Sequence, residues 1–453
     1  MTKATVKSRT PTPCINDILP AEILGTIFLA VYRSKPVLFP PSEAQPLNQF
    51  HHELLDLMLV CRTWKSLIDK SPHLWTRLWV GRGMKSLWLG RAAPVGSPVP
   101  TPDGQEWLEA VQDRLRRSGE LQLEVTVLPD RIVDFATVTK AIGDTTSRWQ
   151  RLDISYGHRE LLLPLVERVP TSARDIRILL NYPMPVLESL HLGPILEEGV
   201  SGTPYLFLVG TNFPFLSRLS CRKHLLLTTS APLLASITLH SIDTLDLDLH
   251  RLPRPIAFPY LVELRAIRCP NILEVLAIFS APKLRKLVNG PNDGDVDDDW
   301  GDIFLGFPTL PSYDHLQELQ WGDSESDLDV LTYILRRCPN LIRFSNYVHG
   351  FEGVANQDHW VSNIPTHITD GDASPDSIPL CPKLEEVCFD VASPWQVAEL
   401  VEARPSMKRV RFLNHPSTIY EETHDPGWRS ERKHPFARLR EKVDVAVGTE
   451  PWQ

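Results

Sequence analysis

The chain reads I-L-P-A-E-I-L-G-T-I over Ile18 to Ile27, and about thirty positions later L-V-C-R-T-W-K-S-L-I over Leu59 to Ile68. Each stretch carries the marks of an amphipathic helix. Pro20 stands where a helix would begin, a place at which its missing N–H costs nothing. Glu22 follows in the first turn, where the positive end of the helix dipole favours a carboxylate. Ile23, Leu24, Ile27, Phe28 and Val31 recur at helical spacing and predict one broad apolar stripe. Leu57, Val60, Cys61, Trp64, Leu67 and Ile68 predict a second helix of the same kind, closing on Ser71-Pro72 and the Leu74-Trp75 pair.

The order of these residues, L-P-x-E-I-L-x-x-I-F followed by V-C-R-x-W-x-x-L-I-x-x-S-P-x-L-W, resembles the F-box from about Ile15 to Leu78. The resemblance implies that Leu19, Pro20, Glu22, Ile23, Leu59, Val60 and Trp64 dock the Skp-type linker of a cullin–RING ubiquitin ligase. It implies that Ile27, Phe28 and Leu67 mainly hold the helices together. One departure separates the halves: residues 34–51 insert S-K-P-V-L-F-P-P-S-E-A-Q-P-L-N-Q-F-H where a compact F-box needs a short link. Such insertions are similar to those of the large fungal F-box families, and this one could obstruct or modify the docking surface.

A series beginning at Pro185 organises the rest. P-V-L-E-S-L, P-F-L-S-R-L, P-L-L-A-S-I, P-Y-L-V-E-L and P-K-L-R-K-L start at Pro185, Pro214, Pro232, Pro259 and Pro282. D-H-L-Q-E-L at Asp314, P-N-L-I-R-F at Pro339 and P-K-L-E-E-V at Pro382 complete it, and the first leucines recur at intervals of roughly 28 residues. Proline stops the preceding helix and enters a strand where no donor is needed. The next leucine anchors the turn, and alternation along a short strand follows. Ala231, Cys269, Ala281, Cys338 and Cys381 precede prolines, which suggests a small buried side chain at that point. Helical segments separate strands, as in N-I-L-E-V-L-A-I-F from Asn271 and D-L-D-V-L-T-Y-I-L-R-R from Asp327. Helix-then-strand units start earlier: Trp107, Leu108, Val111 and Leu115 lead to L-Q-L-E-V-T-V, and Val133 to Ile142 leads to W-Q-R-L-D-I.

One such unit cannot bury its apolar face alone, so neighbours must stack. The pattern resembles divergent leucine-rich repeats over about Gln105 to Leu413. The expected fold is therefore α/β: a small all-helical F-box, then an irregular leucine-rich-repeat solenoid with a curved parallel sheet. The expected domains are a flexible tail at 1–13, the F-box at 14–80, a linker at 81–104, the array at 105–413, and a C-terminal cap or mobile tail at 414–453. Alternate strand residues would face a target protein, namely His191, Arg218, Thr238, Arg265, Lys286, Gln320, Arg343 and Glu386. Their mixed charge suits a protein surface better than a phosphate backbone.

With 453 residues the chain exceeds a single typical core. A net charge of -9 argues against general attraction to nucleic acid or anionic membrane. No apolar run approaches a membrane span, and the N-terminal residues lack the apolar core of a signal peptide. Seven cysteines without C-x-x-C pairs suggest a reduced intracellular protein, cytoplasmic or nuclear.

Chemistry-bearing motifs are sparse. His51 to Asp56, H-H-E-L-L-D, lacks the H-E-x-x-H spacing of a zinc helix and reads as a helix start. The acidic run from Asn292 to Asp302 lacks the glycine turn and final glutamate of a calcium loop; an acidic insertion is the better account, with weak cation or basic-partner binding the lesser one. Neither a G-x-S-x-G elbow nor a phosphate-cradling glycine loop occurs. No metal, cofactor or catalytic residue is expected. Two function classes remain: a substrate-recognition adaptor of a cullin–RING (SCF-type) ligase, or a non-degradative scaffold in which the F-box is a structural cap.

Overall fold

The computed structural model describes residues 19–34, 52–80, 104–127, 135–154 and 173–193 of the N-terminal part. Beyond these it describes 206–208, 213–222, 226–228, 233–240, 256–267, 269, 272–290, 310–322, 328–346, 365, 368, 380–389, 392, 394–413 and 435–447. The insertion from 35 to 51, the N-terminal tail, the proline-rich loop up to 103 and the acidic run at 292–302 lie outside the described residues. The chain divides into two compact units, Met1–Met184 and Pro185–Gln453.

In the first unit, helix α1 spans Ala21–Ser34, α2 spans His52–Val60 and α3 spans Arg62–Asp69, followed by a 3-10 turn at Pro72–Trp75. The single helix expected across Leu57 to Ile68 is broken. Cys61 is extended at φ -161 and ψ 167, and its Sγ accepts the Trp64 N–H at 3.4 Å. A side chain that caps the next helix cannot also continue the previous one. Pro20 likewise lies just outside α1, its carbonyl accepting the N–H groups of Ile23 and Leu24 at 3.1 Å each.

The strands begin directly after the 3-10 turn. Strand β1 (Arg77–Val80) pairs in parallel with β2 (Leu123–Val127), and β2 with β3 (Trp149–Ile154). Helix α4 (Gly104–Arg117) precedes β2 and α5 (Phe135–Gly143) precedes β3, as the helix-then-strand reading expected; α6 (Ala173–Leu180) follows. Helix α4 stops at Gly119, whose positive φ of 58 is open to glycine at no steric cost.

The second unit contains strands β4 (Ser189–Leu192), β5 (Leu206–Leu208), β6 (Arg218–Arg222), β7 (Leu226–Thr228), β8 (Ser236–His240), β9 (Ile256–Ala257) and β10 (Glu263–Ile267). Next come β11 (Phe279–Ser280), β12 (Lys286–Asn289), β13 (Glu318–Trp321), β14 (Arg343–Asn346), β15 (Glu386–Phe389), β16 (Arg409–Phe412) and β17 (Asp444–Val447). Helices α7 (Ile272–Ile278), α8 (Leu328–Leu335), α9 (Pro394–Ala403) and α10 (Pro435–Lys442) lie between them. The large parallel sheet runs β4-β6-β8-β10-β12-β13-β14-β15-β16-β17, while β5-β7 and β9-β11 form separate pairs.

Six copies of the series, those anchored by Leu216, Leu261, Leu284, Leu316, Leu341 and Leu384, do the same mechanical job. The leucine N–H closes a tight turn onto the residue before the proline, as from Leu284 to Ala281, Leu341 to Cys338 and Leu384 to Cys381. The next two N–H groups both donate to one carbonyl of the preceding strand's lead-in, as Arg285 and Lys286 do to Val262. All eight anchoring leucines, from Leu187 to Leu384, are buried. A ninth copy escaped the leucine pattern: P-S-M-K-R-V at Pro405 puts Met407 in the anchor position and leads into β16. The paired strands also continue past Leu413 to Val447, where Asp444 donates to Lys408 in the same manner.

Where it is described, the residue before the turn is buried, but small size is not the requirement expected of it. Met184, Phe213, Phe258, Tyr313 and Arg404 occupy it as well as Ala281, Cys338 and Cys381. The position faces the interior, and its volume varies with what packs there. At the largest polar occupant, the Arg404 guanidinium donates to the carbonyls of Cys381 at 3.0 Å and Ile368 at 3.3 Å.

Candidate functional site

The N-terminal helices enclose a core of Leu24, Phe28, Tyr32, Leu54, Ile68, Leu74 and Trp75. Phe28 and Trp64 meet at 4.8 Å between ring centroids, and the Trp75 indole N–H donates to the Ile68 carbonyl at 2.9 Å. Leu19, Leu57, Met58 and Leu67 pack around its margin. The expected single stripe on α1 is in fact two. Leu24, Phe28 and Tyr32 point inward, while Ile23, Ile27 and Val31, one residue earlier at the same four-residue spacing, point outward and are exposed. Ile27, expected to hold the helices together, therefore belongs to the outer row.

The C-terminal end of α2 adds two more apolar side chains: Leu59 is 82% exposed and Val60 is also exposed. Pro20 and Glu22 are exposed, and Leu19 and Trp64 are half-buried. Leaving a leucine in water forgoes about 2 kcal/mol of burial, so five large apolar side chains on one small module are costly unless something covers them. A scan against protein-family models matches residues 17–80 to the F-box-like family.

Residues 17–80 form an F-box-like domain. Such a domain points in general to an adaptor role in SCF-type ubiquitin ligases, and F-box domains generally bind Skp-type linkers. A search of curated proteins found no match. The F-box-like domain is bound to the strands that follow it. Arg77 donates to the Tyr32 carbonyl at 2.8 Å and pairs with Glu124 at 3.1 Å. Arg117 lies over the Trp75 ring at 4.6 Å and reaches Asp69 at 2.6 Å. Arg114, buried, donates to the Arg77 carbonyl at 2.7 Å and hydrogen-bonds Tyr32, whose hydroxyl pKa burial raises.

In the second unit the parallel register places the expected target-facing residues on one side of the sheet, opposite the buried Leu190, Leu219, Leu264, Leu287 and Leu319. They fall in two rows. Arg218, Lys286, Arg343 and Glu386 stand in the row Ser189, Arg218, Ser236, Glu263, Lys286, Glu318, Arg343, Glu386, Arg409, Asp444. His191, Thr238, Arg265 and Gln320 stand two residues further along each strand. From Glu263 onward the first row alternates in sign. Lys286 meets Glu318 at 2.6 Å, Arg343 meets Glu386 at 3.0 Å, and Arg409 reaches Glu386 and Asp444 at 3.4 Å. Charges directly opposite on neighbouring strands favour this register by a few tenths of a kcal/mol each, about the value of an exposed ion pair.

Among the described residues no group of three or more His, Cys, Asp or Glu side chains is placed to hold a metal ion. The described cysteines are thiols, five of them buried, and burial pushes the Cys338 thiol well up. No described helix is long and apolar enough to cross a membrane.

Proposed function

We propose that this chain is a substrate-recognition adaptor of a cullin–RING ligase. The F-box-like domain holds the Skp-type linker through Leu19, Pro20, Glu22, Ile23, Leu59, Val60 and Trp64. The paired-strand unit, a leucine-rich-repeat-like array, captures a target protein. The chain supplies proximity and orientation, and the bound ligase supplies the thioester chemistry. The observation that carries this reading is the outward apolar set of Ile23, Ile27, Val31, Leu59 and Val60 on a module whose own core is already complete.

Co-expression of the full chain with a Skp-type linker tests it. The wild type is expected to co-purify with the linker. A Leu59→Asp/Val60→Asp variant should lose it with an unchanged melting temperature, because both side chains are in water beforehand. Absence of co-purification by the wild type overturns the reading. That outcome would favour the scaffold, in which the domain is a structural cap, a role consistent with β1 beginning inside the matched segment.

A further inference from the structure

Eleven large apolar side chains are exposed among the described residues, and their distribution is uneven. Five are the outer set of the F-box-like domain. Four others, Phe215, Leu233, Tyr260 and Val262, lie at the turns that lead into three successive strands of the sheet, β6, β8 and β10. Phe215 is 55% exposed and Tyr260 49%. Exposed apolar residues scattered singly need no explanation, but a contiguous set does.

The set is contiguous because the register makes it so. Arg218, Ser236, Glu263 and Lys286 are direct partners across β6, β8, β10 and β12. Phe215, Leu233, Tyr260 and Lys283 each stand three residues before one of them, at the second position of the proline turn. Half-buried Val186 holds the same place before β4. The tips therefore line up as Val186, Phe215, Leu233, Tyr260 and Lys283. Contact between the last two is direct: the Lys283 ammonium sits 4.4 Å from the Tyr260 ring centroid.

Charge separates this edge from the adjoining sheet face from β12 onward. On the face, Lys286, Arg343 and Arg409 all meet carboxylates. At the edge, Lys283 and Arg285 are exposed, and neither pairs with a carboxylate among the described residues. The edge is thus an apolar row that ends in two exposed cations with no carboxylate partner among the described residues, on a chain whose net charge is -9. With strands about 4.8 Å apart, the row from Val186 to Lys283 spans about 20 Å, the reach of about six extended residues.

We propose that this turn edge is a docking track for a linear segment of the target that places large apolar residues along Phe215, Leu233 and Tyr260 and acidic residues against Lys283 and Arg285. The inference rests on the reading of the paired-strand unit as the recognition half of an adaptor, and moves the specific contacts from the charge-matched face to its edge. Aromatic tips anchor because they bury much area at little cost in side-chain freedom. The cations set the direction in which the segment lies, since reversing it would put carboxylates on the apolar tips.

The test is selection of random peptides of about a dozen residues displayed on phage against the immobilised full chain. The wild type should enrich peptides that combine large apolar residues with a block of Asp or Glu at one end. Synthetic copies should bind Phe215→Ala/Tyr260→Ala about tenfold or more weakly. Selection against Lys283→Glu/Arg285→Glu should enrich basic blocks in place of acidic ones. No enrichment by the wild type, or the same acidic preference after the charge reversal, overturns the assignment. Peptides lost only on Arg343→Ala/Glu386→Ala also overturn it, while leaving target recognition by the sheet face standing. Self-association abolished by Phe215→Asp, without peptide enrichment, would assign the edge to a second copy of the chain. Linker co-purification is read separately and is expected to be untouched by every edge variant.

Discussion

Replacing Arg114 should uncouple the F-box-like core from the strands beside it. Its side chain is 3% exposed, and its guanidinium donates to the Arg77 carbonyl at 2.7 Å, hydrogen-bonds Tyr32 and lies 5.7 Å from the centre of the Trp75 ring. A charged donor to a buried carbonyl contributes about 1.5–3 kcal/mol, and the Tyr32 bond and ring contact add about 1 kcal/mol more. Against this stands the cost of burying the cation, which also pulls its pKa below the usual arginine value. Truncation to Ala removes the partners, opens a void and leaves the Arg77 carbonyl without this donor, for a net loss of about 3 kcal/mol. Arg114→Met keeps most of the volume and sheds the desolvation cost, so its loss should be about 1–2 kcal/mol. For the first unit, Met1–Met184, about 3 kcal/mol corresponds to a melting temperature lower by about 6–12 °C. Tryptophan fluorescence, with Trp64 and Trp75 in the helical core, followed against far-ultraviolet dichroism during denaturation, gives the measurement. An Ala variant within about 0.5 kcal/mol of wild type would refute the coupling, as would Arg114→Met being the more damaging of the two.

Two further outcomes follow from single contacts. Cys61 caps α3 with a weak sulfur acceptor at 3.4 Å, so Cys61→Ser, a better cap of similar size, should raise stability by about 0.5 kcal/mol in chemical denaturation. Burial pushes the Asp113 carboxyl up, but hydrogen bonds and charge from Arg116 and Arg117 outweigh that and hold it below its ordinary value of 3.8. Its contribution is present in full above that value and is lost as pH falls through the depressed folded value. Asp113→Asn should therefore cost about 0.5 kcal/mol at neutral pH, screened as a partly exposed pair is, and nothing at the acid end. Denaturation midpoints compared across that range check it.

Much of the plan was readable in one dimension because local chemistry carried it. Proline turns, anchoring leucines and helical apolar spacing act over a few residues, so L-P-x-E, P-x-L and the helices before β2 and β3 could be named from the chain alone. The misses share one cause. The apolar spacing around Cys61 hides its cap geometry, and the single stripe expected on α1 splits because periodicity groups apolar residues without saying which of them the partner helices reach; the inward role of Ile27, implied by the family resemblance, fails for the same reason. Met407 escaped a pattern written for leucine, although it fills the same buried slot.

Alternation along each strand told which residues share a side of the sheet. The partner across the gap came from register, and register is set by turns and hydrogen bonds between segments tens of residues apart. Hence the sign-alternating row from Glu263 to Asp444 and the apolar tips Phe215, Leu233 and Tyr260 could not be assembled from the linear order. The linear order settled what each short segment would become; packing in three dimensions settled which side chains stand together and which remain in water, because both depend on neighbours that covalent sequence does not adjoin.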